Sequence, residues 1–182
     1  MLSLREPLLV RSFTLKHNDE AQSYQEQLEA WNAQDSTGVC VRIEAENAVK
    51  TSSQMLYPVQ DQSSAAVYPS SSRYLLNNTI GGNSWKSAGQ WIEWKFTVPQ
   101  DGYYCLGLYD QQNFVRGIDV SRRIMVDGVV PFSELEAYRF SYQQSWRLDT
   151  VGNGQDPYRI YLTAGEHTLR MEVVLGDMAD II

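Results

Sequence analysis

Two glutamates, Glu44 and Glu46, are the strongest candidates for a chemical role in the sequence. They stand two positions apart in the run Val39–Asn47. Apolar and polar residues alternate along this run, a period of two that predicts a β-strand. Both carboxylates would then leave one face with Cα atoms about 6–7 Å apart, where they repel by roughly 2 kcal/mol at an effective dielectric near 20. A calcium ion, which prefers oxygen ligands, would turn that repulsion into attraction. The alternative is a solvated strand face with Arg42 or Lys50 as counter-ion.

Two tryptophans, Trp85 and Trp146, lie in loop-like sequence, where a large ring has no place in a strand core. Apolar faces of sugars pack on flat aromatic rings, so tryptophans in the loops of a β-sandwich suggest carbohydrate binding. Tyr142, Asn113 and Arg116 are candidates for polar contacts to the same sugar. The alternative is that both rings fold back and plug the ends of the sandwich.

Residues that could carry catalysis are scarce. His17 and His167 are the two histidines, and we expect each to be an ordinary surface or strand-end residue. The sequence contains no nucleophile elbow, phosphate-binding loop or H-E-x-x-H motif. A glycoside hydrolase would need two carboxylates about 5–10 Å apart in a cleft, and the best acidic pair already has a metal role. We therefore expect a binding protein, not an enzyme.

Composition limits the size and the partners of the protein. Its 182 residues favour one domain with an appendage, and a net charge of −7 argues against nucleic acid as a partner. We find no apolar run long enough to span a bilayer, and no signal peptide at Met1–Leu4, so we expect a piece of a longer chain. Cys40 and Cys105 either form one disulfide or remain two thiols, and the sequence leaves both open.

The stretch Gly89–Leu108 is the element around which we expect the fold to be organised. Apolar and polar residues alternate from Ile92 to Val98 and again from Tyr103 to Leu108. Between them, Pro99–Gly102 supplies the proline and glycine of a tight turn. This pattern predicts an antiparallel hairpin whose apolar face needs a second layer.

Other short strands are expected to supply that layer. Alternating patterns predict strands at residues 120–126, 158–162 and 169–175, with a short strand near residues 74–76 and a helical turn at residues 132–136. Many short strands with turn signals between them indicate a β-sandwich or barrel. The polar residues 48–88 predict a long functional loop region.

The first 38 residues are expected to form a preface to a main domain at residues 39–182. Pro7–Leu15 predicts a strand, and residues 20–33 predict an amphipathic helix. Asp19 would be the N-cap, with Gln22 completing a capping box. We expect the helix to pack on the main domain or on a missing neighbour.

Three runs in the main domain resemble the family 6 and family 35 carbohydrate-binding modules. They are Ile43–Glu46, then Ala88–Pro99 with Gly102–Tyr104, then Leu162–Arg170. The resemblance covers roughly Val39–Ile182 and implies an all-β jelly-roll sandwich of the galactose-binding-like type.

This resemblance also implies a calcium site and a sugar site. The calcium ligands of the family match Glu44, Glu46 and Asp180, and backbone carbonyls would complete the oxygen shell. The aromatic residues between which family 6 sugars stack match Trp85 and Trp146.

The sequence departs from the family at two positions. Gln90 replaces the usual aspartate after Gly89, and Met178 replaces a sugar-binding asparagine. The resemblance therefore supports the fold and the metal more strongly than the sugar cleft.

The pattern is also similar to a module within extracellular solute-binding proteins of bacterial ABC transporters. This implies an accessory domain of a secreted or lipoprotein-anchored parent chain, acting outside the cell or at its surface. We expect a non-catalytic, calcium-stabilised module that captures carbohydrate for sugar transport. The alternative is a structural domain that docks on the rest of the parent protein without a glycan, in which case Trp85 and Trp146 are buried.

Overall fold

A computed structural model describes residues 21–33, 38–63, 77–114 and 116–176 of the protein. These residues form one helix, α1 (Tyr24–Trp31), and eleven strands. The strands are β1 (Lys50–Thr51), β2 (Pro58–Val59), β3 (Thr79–Ile80), β4 (Trp91–Val98), β5 (Gly102–Cys105), β6 (Gly107–Asp110), β7 (Val120–Val126), β8 (Tyr138–Phe140), β9 (Arg147–Thr150), β10 (Arg159–Leu162) and β11 (Gly165–Val174). The strands predicted at Pro7–Leu15 and near residues 74–76 lie outside the described residues.

The strands form the two layers of an all-β sandwich of the jelly-roll type, as the sequence predicts. One layer is an antiparallel five-stranded sheet in the order β1-β4-β11-β7-β8. The other layer contains the pairs β10-β5 and β6-β9, which meet where the Val151 amide donates to the Leu106 carbonyl oxygen at 2.9 Å. The short pair β2-β3 lies apart from both.

Alternating residues of the five-stranded sheet face the core between the layers. Met171 of β11 stands opposite Ile92 of β4 on one side and Ile124 of β7 on the other. Ile92 and Ile124 are fully buried, and each such side chain contributes about 2 kcal/mol through burial of apolar surface. Ile160 and Leu162 of the second layer belong to the same cluster, which holds the two layers together.

The predicted hairpin at residues 92–108 is wrong in its pairing, although both strands exist. Strand β4 is flanked by β1 and β11, so it has no free edge for β5. Strand β5 pairs with β10 instead, and the turn after Val98 crosses from one layer to the other. The predicted second strand of the hairpin, β5, is therefore part of the second layer that packs on β4.

The predicted strand at Val39–Asn47 is also wrong. The edge of β4 is taken by residues 49–52, since Val49 donates to the Glu93 carbonyl and Ser52 to the Trp91 carbonyl. Without a ladder partner, the chain forms a 3-10 turn at Ala45–Asn47. The indole Nε1 of Trp94 holds this turn by donating to the Ala45 carbonyl oxygen at 2.8 Å.

Helix α1 packs on the sandwich, one of the two arrangements expected for it. Its N-cap is Ser23, which forms a capping box with Glu26, so the cap predicted at Asp19 is replaced by a later one. The Tyr24 ring lies 4.9 Å from Phe132 and 4.7 Å from Tyr158, measured between centroids. Among the described residues, no helix is long and apolar enough to cross a membrane.

Candidate functional site

Glu44 and Glu46 do not share a strand face, contrary to the sequence-based expectation. Glu44 precedes the 3-10 turn and Glu46 lies within it. The Glu44 carboxylate pairs with Arg42, with 2.6 Å between Oε1 and Nε. Oε2 of Glu46 is buried and has no hydrogen-bond partner within the described part of the chain. Glu44 thus has one of the counter-ions considered for it, whereas Glu46 retains an unsatisfied acceptor.

The third predicted calcium ligand, Asp180, lies outside the described residues. Within those that are described, no three His, Cys, Asp or Glu side chains form a group that could hold a metal. Calcium accepts carboxylate oxygens that lack other partners. Glu46 therefore fits a calcium ligand, and Glu44 fits one if the ion replaces Arg42.

Trp85 is packed into the structure on a buried cation. The Arg122 guanidinium lies over its ring, 4.4 Å from the centroid, and Nη2 donates to the Trp85 carbonyl oxygen at 2.9 Å. Burial lowers the pKa of Arg122 to about 10. The ring also contacts Gly81, where an added Cβ would approach Cε3 to 3.0 Å. A sugar stacking on the Arg122 side of Trp85 would have to displace this guanidinium.

Gln90, one of the two departures noted in the sequence, holds its own loop closed. Its Oε1 accepts hydrogen bonds from the Lys86 and Ser87 amides at 3.0 and 2.9 Å. Its carbonyl oxygen accepts from the Trp85 indole at 3.2 Å. The side chain therefore fixes the loop that carries Trp85.

Trp146 has a different environment, because its ring stacks on an exposed neighbour. Its centroid lies 5.6 Å from that of Tyr109, with 21° between the planes. Tyr109 is 41% exposed, and Leu148, opposite it in the β6-β9 ladder, is 70% exposed. The Trp146 indole donates to Asp61 and Ser63, which fix its orientation. We call Tyr109, Trp146 and Leu148 the aromatic surface.

The other predicted ligand residues lie in two loops beside the aromatic surface. The Gln143 amide donates to the Gln112 carbonyl oxygen at 2.8 Å and so joins the loops. Asn113 and Tyr142 are the immediate neighbours of these two glutamines, and the exposed Arg116 lies further along the first loop. The structure therefore brings Asn113, Tyr142 and Trp146 to one end of the β6-β9 pair.

Sequence reasoning missed Tyr109, although a signal was present. The alternation that directs Leu106 and Leu108 inward, continued by one residue, directs Tyr109 outward. An outward tyrosine beside a loop tryptophan is the pattern that would have identified the surface.

The inner face of the β6-β9 pair lines a groove. Leu108 and Asp149 stand opposite each other there, followed by Asp110 and Arg147. The groove has a volume of about 570 Å³ and is closed on its other sides by β8 and the loop at residues 152–157. The inner face thus changes from apolar to charged as the strands leave the core.

His167 is buried near the start of β11, so of the two places expected for it the strand end is correct and the surface is not. Its Nδ1 lies 2.6 Å from Asp127 Oδ2, and its Nε2 lies 2.7 Å from the Thr163 carbonyl oxygen. Burial opposes the charged ring, but these two acceptors outweigh it and raise the pKa of His167. Cys40 and Cys105 are exposed and form no disulfide.

Comparisons with known proteins find similarity only at the level of structure. No family model and no curated protein matches the sequence. Among solved structures, a cycloisomaltooligosaccharide glucanotransferase from Paenibacillus sp., complexed with cycloisomaltoheptaose, has a TM-score of 0.54 and 21% identity. The match covers 86% of this chain and 21% of that chain, so the protein spans about a fifth of that enzyme. This likeness shows the fold.

Two further structures match at lower TM-scores. A family 35 carbohydrate-binding module from Clostridium thermocellum has a TM-score of 0.41 and 19% identity, covering 50% of this chain and 64% of that one. A ruminal GH26 endo-beta-1,4-mannanase has a TM-score of 0.42 and 18% identity, covering 76% and 24%.

Proposed function

We propose that the protein is a non-catalytic carbohydrate-binding domain whose ligand lies on the aromatic surface. The observation that supports this is the stacked pair of the exposed Tyr109 and the half-buried Trp146, at the outer face of β6-β9 beside two polar loops. Sugar rings pack their C–H faces on such side chains, and the polar loops can reach their hydroxyl groups. The ligand would bury little area, so we expect a Kd on the order of micromolar to millimolar.

Asn113, Tyr142 and Arg116 supply the polar contacts in this proposal. Tyr142 and Asn113 flank the glutamines that join the two loops. Trp85 has a secondary role, because Arg122 already lies over its ring.

The test is a calorimetric titration with soluble isomalto-, manno-, xylo- and cello-oligosaccharides. We expect saturable binding of at least one series, weakened ten-fold or more by Tyr109→Ala and by Trp146→Ala. Trp146→Phe separates the ring from its indole hydrogen bonds and should retain part of the affinity. Tyr57→Ala is the matched control, since Tyr57 is an exposed tyrosine (55%) outside the aromatic surface.

Two results would overturn this proposal. One is the absence of binding to every series by a folded protein. The other is binding that neither Tyr109→Ala nor Trp146→Ala weakens. A ten-fold loss in Trp85→Ala alone would move the site to the loop that Gln90 closes.

Calcium is a further part of the proposal, with Glu46 as the principal protein ligand described in the structure. The support is its buried carboxylate oxygen without a hydrogen-bond partner. We expect millimolar calcium to raise Tm by several degrees, since a ligand that binds the folded state stabilises it. Glu46→Gln should abolish that rise, whereas Glu29→Gln, on the exposed side of α1, should not. An equal rise in both variants would remove Glu46 from the site.

The second candidate function is a docking domain without a glycan, within an extracellular solute-binding protein of an ABC transporter. The packing of Trp85 against Arg122 and Gly81 favours it in part, because this alternative predicts that Trp85 and Trp146 are both buried, and both are half-buried. This second function predicts that none of the oligosaccharide series binds. Binding of the separately produced domain to the rest of its parent chain would support it. Recovery of the parent chain outside the cell would support it further.

A further inference from the structure

The groove on the inner face of β6-β9 contains two buried acceptors without partners. Gln143 is 9% exposed, and its Oε1 has no hydrogen-bond partner in the described structure. The same holds for Oδ1 of Asp110. The two side chains are joined by Gln143 Nε2, which donates to the Asp110 backbone oxygen at 3.1 Å and to Oδ2 at 3.2 Å.

Unsatisfied buried acceptors are costly in a folded protein, because no hydrogen bond replaces the water that each atom has lost. Gln143 and Asp110 both line the groove, and Asp110 is partly exposed to it. Both oxygens have less than 1 Å² of accessible surface in the structure, so a ligand that donates hydrogen bonds at this wall would recover that cost once the Asp110 and Gln143 side chains turn toward the groove. Because both free atoms are oxygens, the matching groups on the ligand are hydroxyl or amine hydrogens.

The charges in the groove favour a neutral donor over a cation. Asp149, the other carboxylate on the inner face, is already paired with Arg147. The Arg147 guanidinium would repel a divalent ion beside Asp110, and it can itself donate to a hydroxyl oxygen. The groove thus offers acceptors and donors together, which suits hydroxyl groups that do both.

The facing wall is aromatic. Tyr138 and Phe140 of β8 line the groove and pack edge to face, with centroids 5.3 Å apart at 81°. The groove, with a volume of about 570 Å³, falls within the size range of small-molecule sites, and its lining is more polar than is usual for them. A sugar residue has the same division into an apolar face and a polar rim.

We propose that this groove is a second carbohydrate-binding site, which takes one neutral sugar residue through hydroxyl donors to Asp110 and Gln143. The inference rests on the proposed function for its ligand class, but it uses the opposite face of the β6-β9 pair. Asp110 and Asp149 also form a pair of carboxylates in a cleft, which is the equipment of glycoside hydrolysis. Because Asp149 is held in an ion pair with Arg147, we give Asp149 a structural role. We therefore interpret the groove as a binding site and not as a catalytic one.

The test is residue-resolved NMR on the Tyr109→Ala, Trp146→Phe double variant, in which the aromatic surface is disabled. Isomaltotriose, mannotriose and xylotriose are titrated separately to tens of millimolar. Amide shifts of Gly152 and Gly154 report on the groove, and those of Leu148 report on the outer face. We expect saturable shifts at the two glycines with at least one trisaccharide.

Asp110→Asn and Gln143→Met then test the two acceptors. Both keep the size of the side chain, and we expect each to weaken the groove shifts about ten-fold. Glu29→Gln, an equivalent carboxylate-to-amide change on α1, is the control and should leave them unchanged.

The possible results separate the two proposals. Groove shifts that survive the double variant and disappear in Asp110→Asn support the second site, even if the aromatic surface binds nothing. Shifts confined to the outer face of the unmodified protein overturn the second site and leave the first. Groove shifts that neither Asp110→Asn nor Gln143→Met weakens overturn the assignment. Release of shorter sugars, lost in Asp149→Asn, would overturn the non-catalytic interpretation.

Discussion

Glu93 and Asp110 are both shielded acidic side chains on strands, and they have opposite surroundings. Glu93 of β4 is 6% exposed and accepts two hydrogen bonds from Arg170, at 2.9 and 2.6 Å, with Lys50 3.4 Å away. Burial favours the protonated form, but these cations outweigh it and lower the pKa of Glu93. Asp110 accepts from Gln143, and burial together with Asp149 raises its pKa to about 6.

This difference separates structural charge from charge that is suited to binding. The carboxylate of Glu93 is satisfied within the five-stranded sheet, so it has little to offer a ligand. The carboxylate of Asp110 keeps an unsatisfied oxygen beside a groove. Perturbed acids in a cleft without a matching cation are candidates for function, whereas paired ones usually stabilise the fold.

The largest expected effect on the free energy of unfolding is at Glu93, whose carboxylate is fully paired. Glu93→Gln leaves Arg170 without its carboxylate at a site where the Glu93 side chain is 8% exposed. We expect the free energy of unfolding to fall by about 2 kcal/mol, since breaking a shielded ion pair leaves an uncompensated charge. Urea denaturation at pH 7 measures it. The matched control is Glu166→Gln on the same sheet, whose exposed pair with Lys95 should contribute nothing measurable. Equal losses in both variants would contradict the distinction.

The next effect is a gain in stability at Asp110, whose carboxylate keeps an oxygen without a partner among the described residues. The folded-state pKa of Asp110 is about 6, above its ordinary value, so the folded state retains a proton that the unfolded state has lost. Stability is therefore lost as pH rises from about 4 to 6. Asp110→Asn removes this loss, and we expect it to add about 1 kcal/mol at pH 7 after solvent screening, and nothing at pH 4. Thermal melts at both pH values check this, and a stabilisation that is equal at both would contradict it.

The sequence predicts the layers of this fold better than the pairing of its strands. Periodicity shows that Ile92 and Leu169 lie on the inward faces of their strands, because a period of two depends on local residues alone. It does not show that β4 already has two neighbours, since pairing depends on residues far apart in the chain. The same lack of long-range information gave Glu44 and Glu46 a strand that residues 49–52 displaced.

The candidate site was predicted in part, for the same reason. Loop position indicated Trp146 and the two-residue spacing indicated Glu46, but neither revealed that Arg122 lies over Trp85. That contact joins residues 37 positions apart. Asp110 and Gln143 gave no local signal, because their burial and their missing partners exist only in the folded chain.

An effect of similar size, confined to lower pH, is expected at His167, whose ion pair with Asp127 depends on pH. Both ring nitrogens face acceptors, so the ring is fully satisfied only when both carry hydrogen. Its pKa is raised by the Thr163 carbonyl and Asp127, so its stabilisation is present below about pH 6.5 and is lost as pH rises through the folded-state pKa. Asp127→Asn should remove about 1 kcal/mol at pH 6 and less at pH 9. Asparagine tolerates the left-handed backbone at this position, where φ is 52°.

Thermal melts from pH 4 to 9 measure this effect, and its pH window separates it from that of Asp110. Asp110 makes the protein less stable between about pH 4 and 6, whereas His167 does so only at higher pH. Asp110→Asn should therefore flatten the acidic part of the profile, and Asp127→Asn the part above it. If Asp127→Asn altered only the acidic part, the charged ring would not be the cause. The two variants together thus show whether shielded charges that differ in their partners also differ in the pH at which they act.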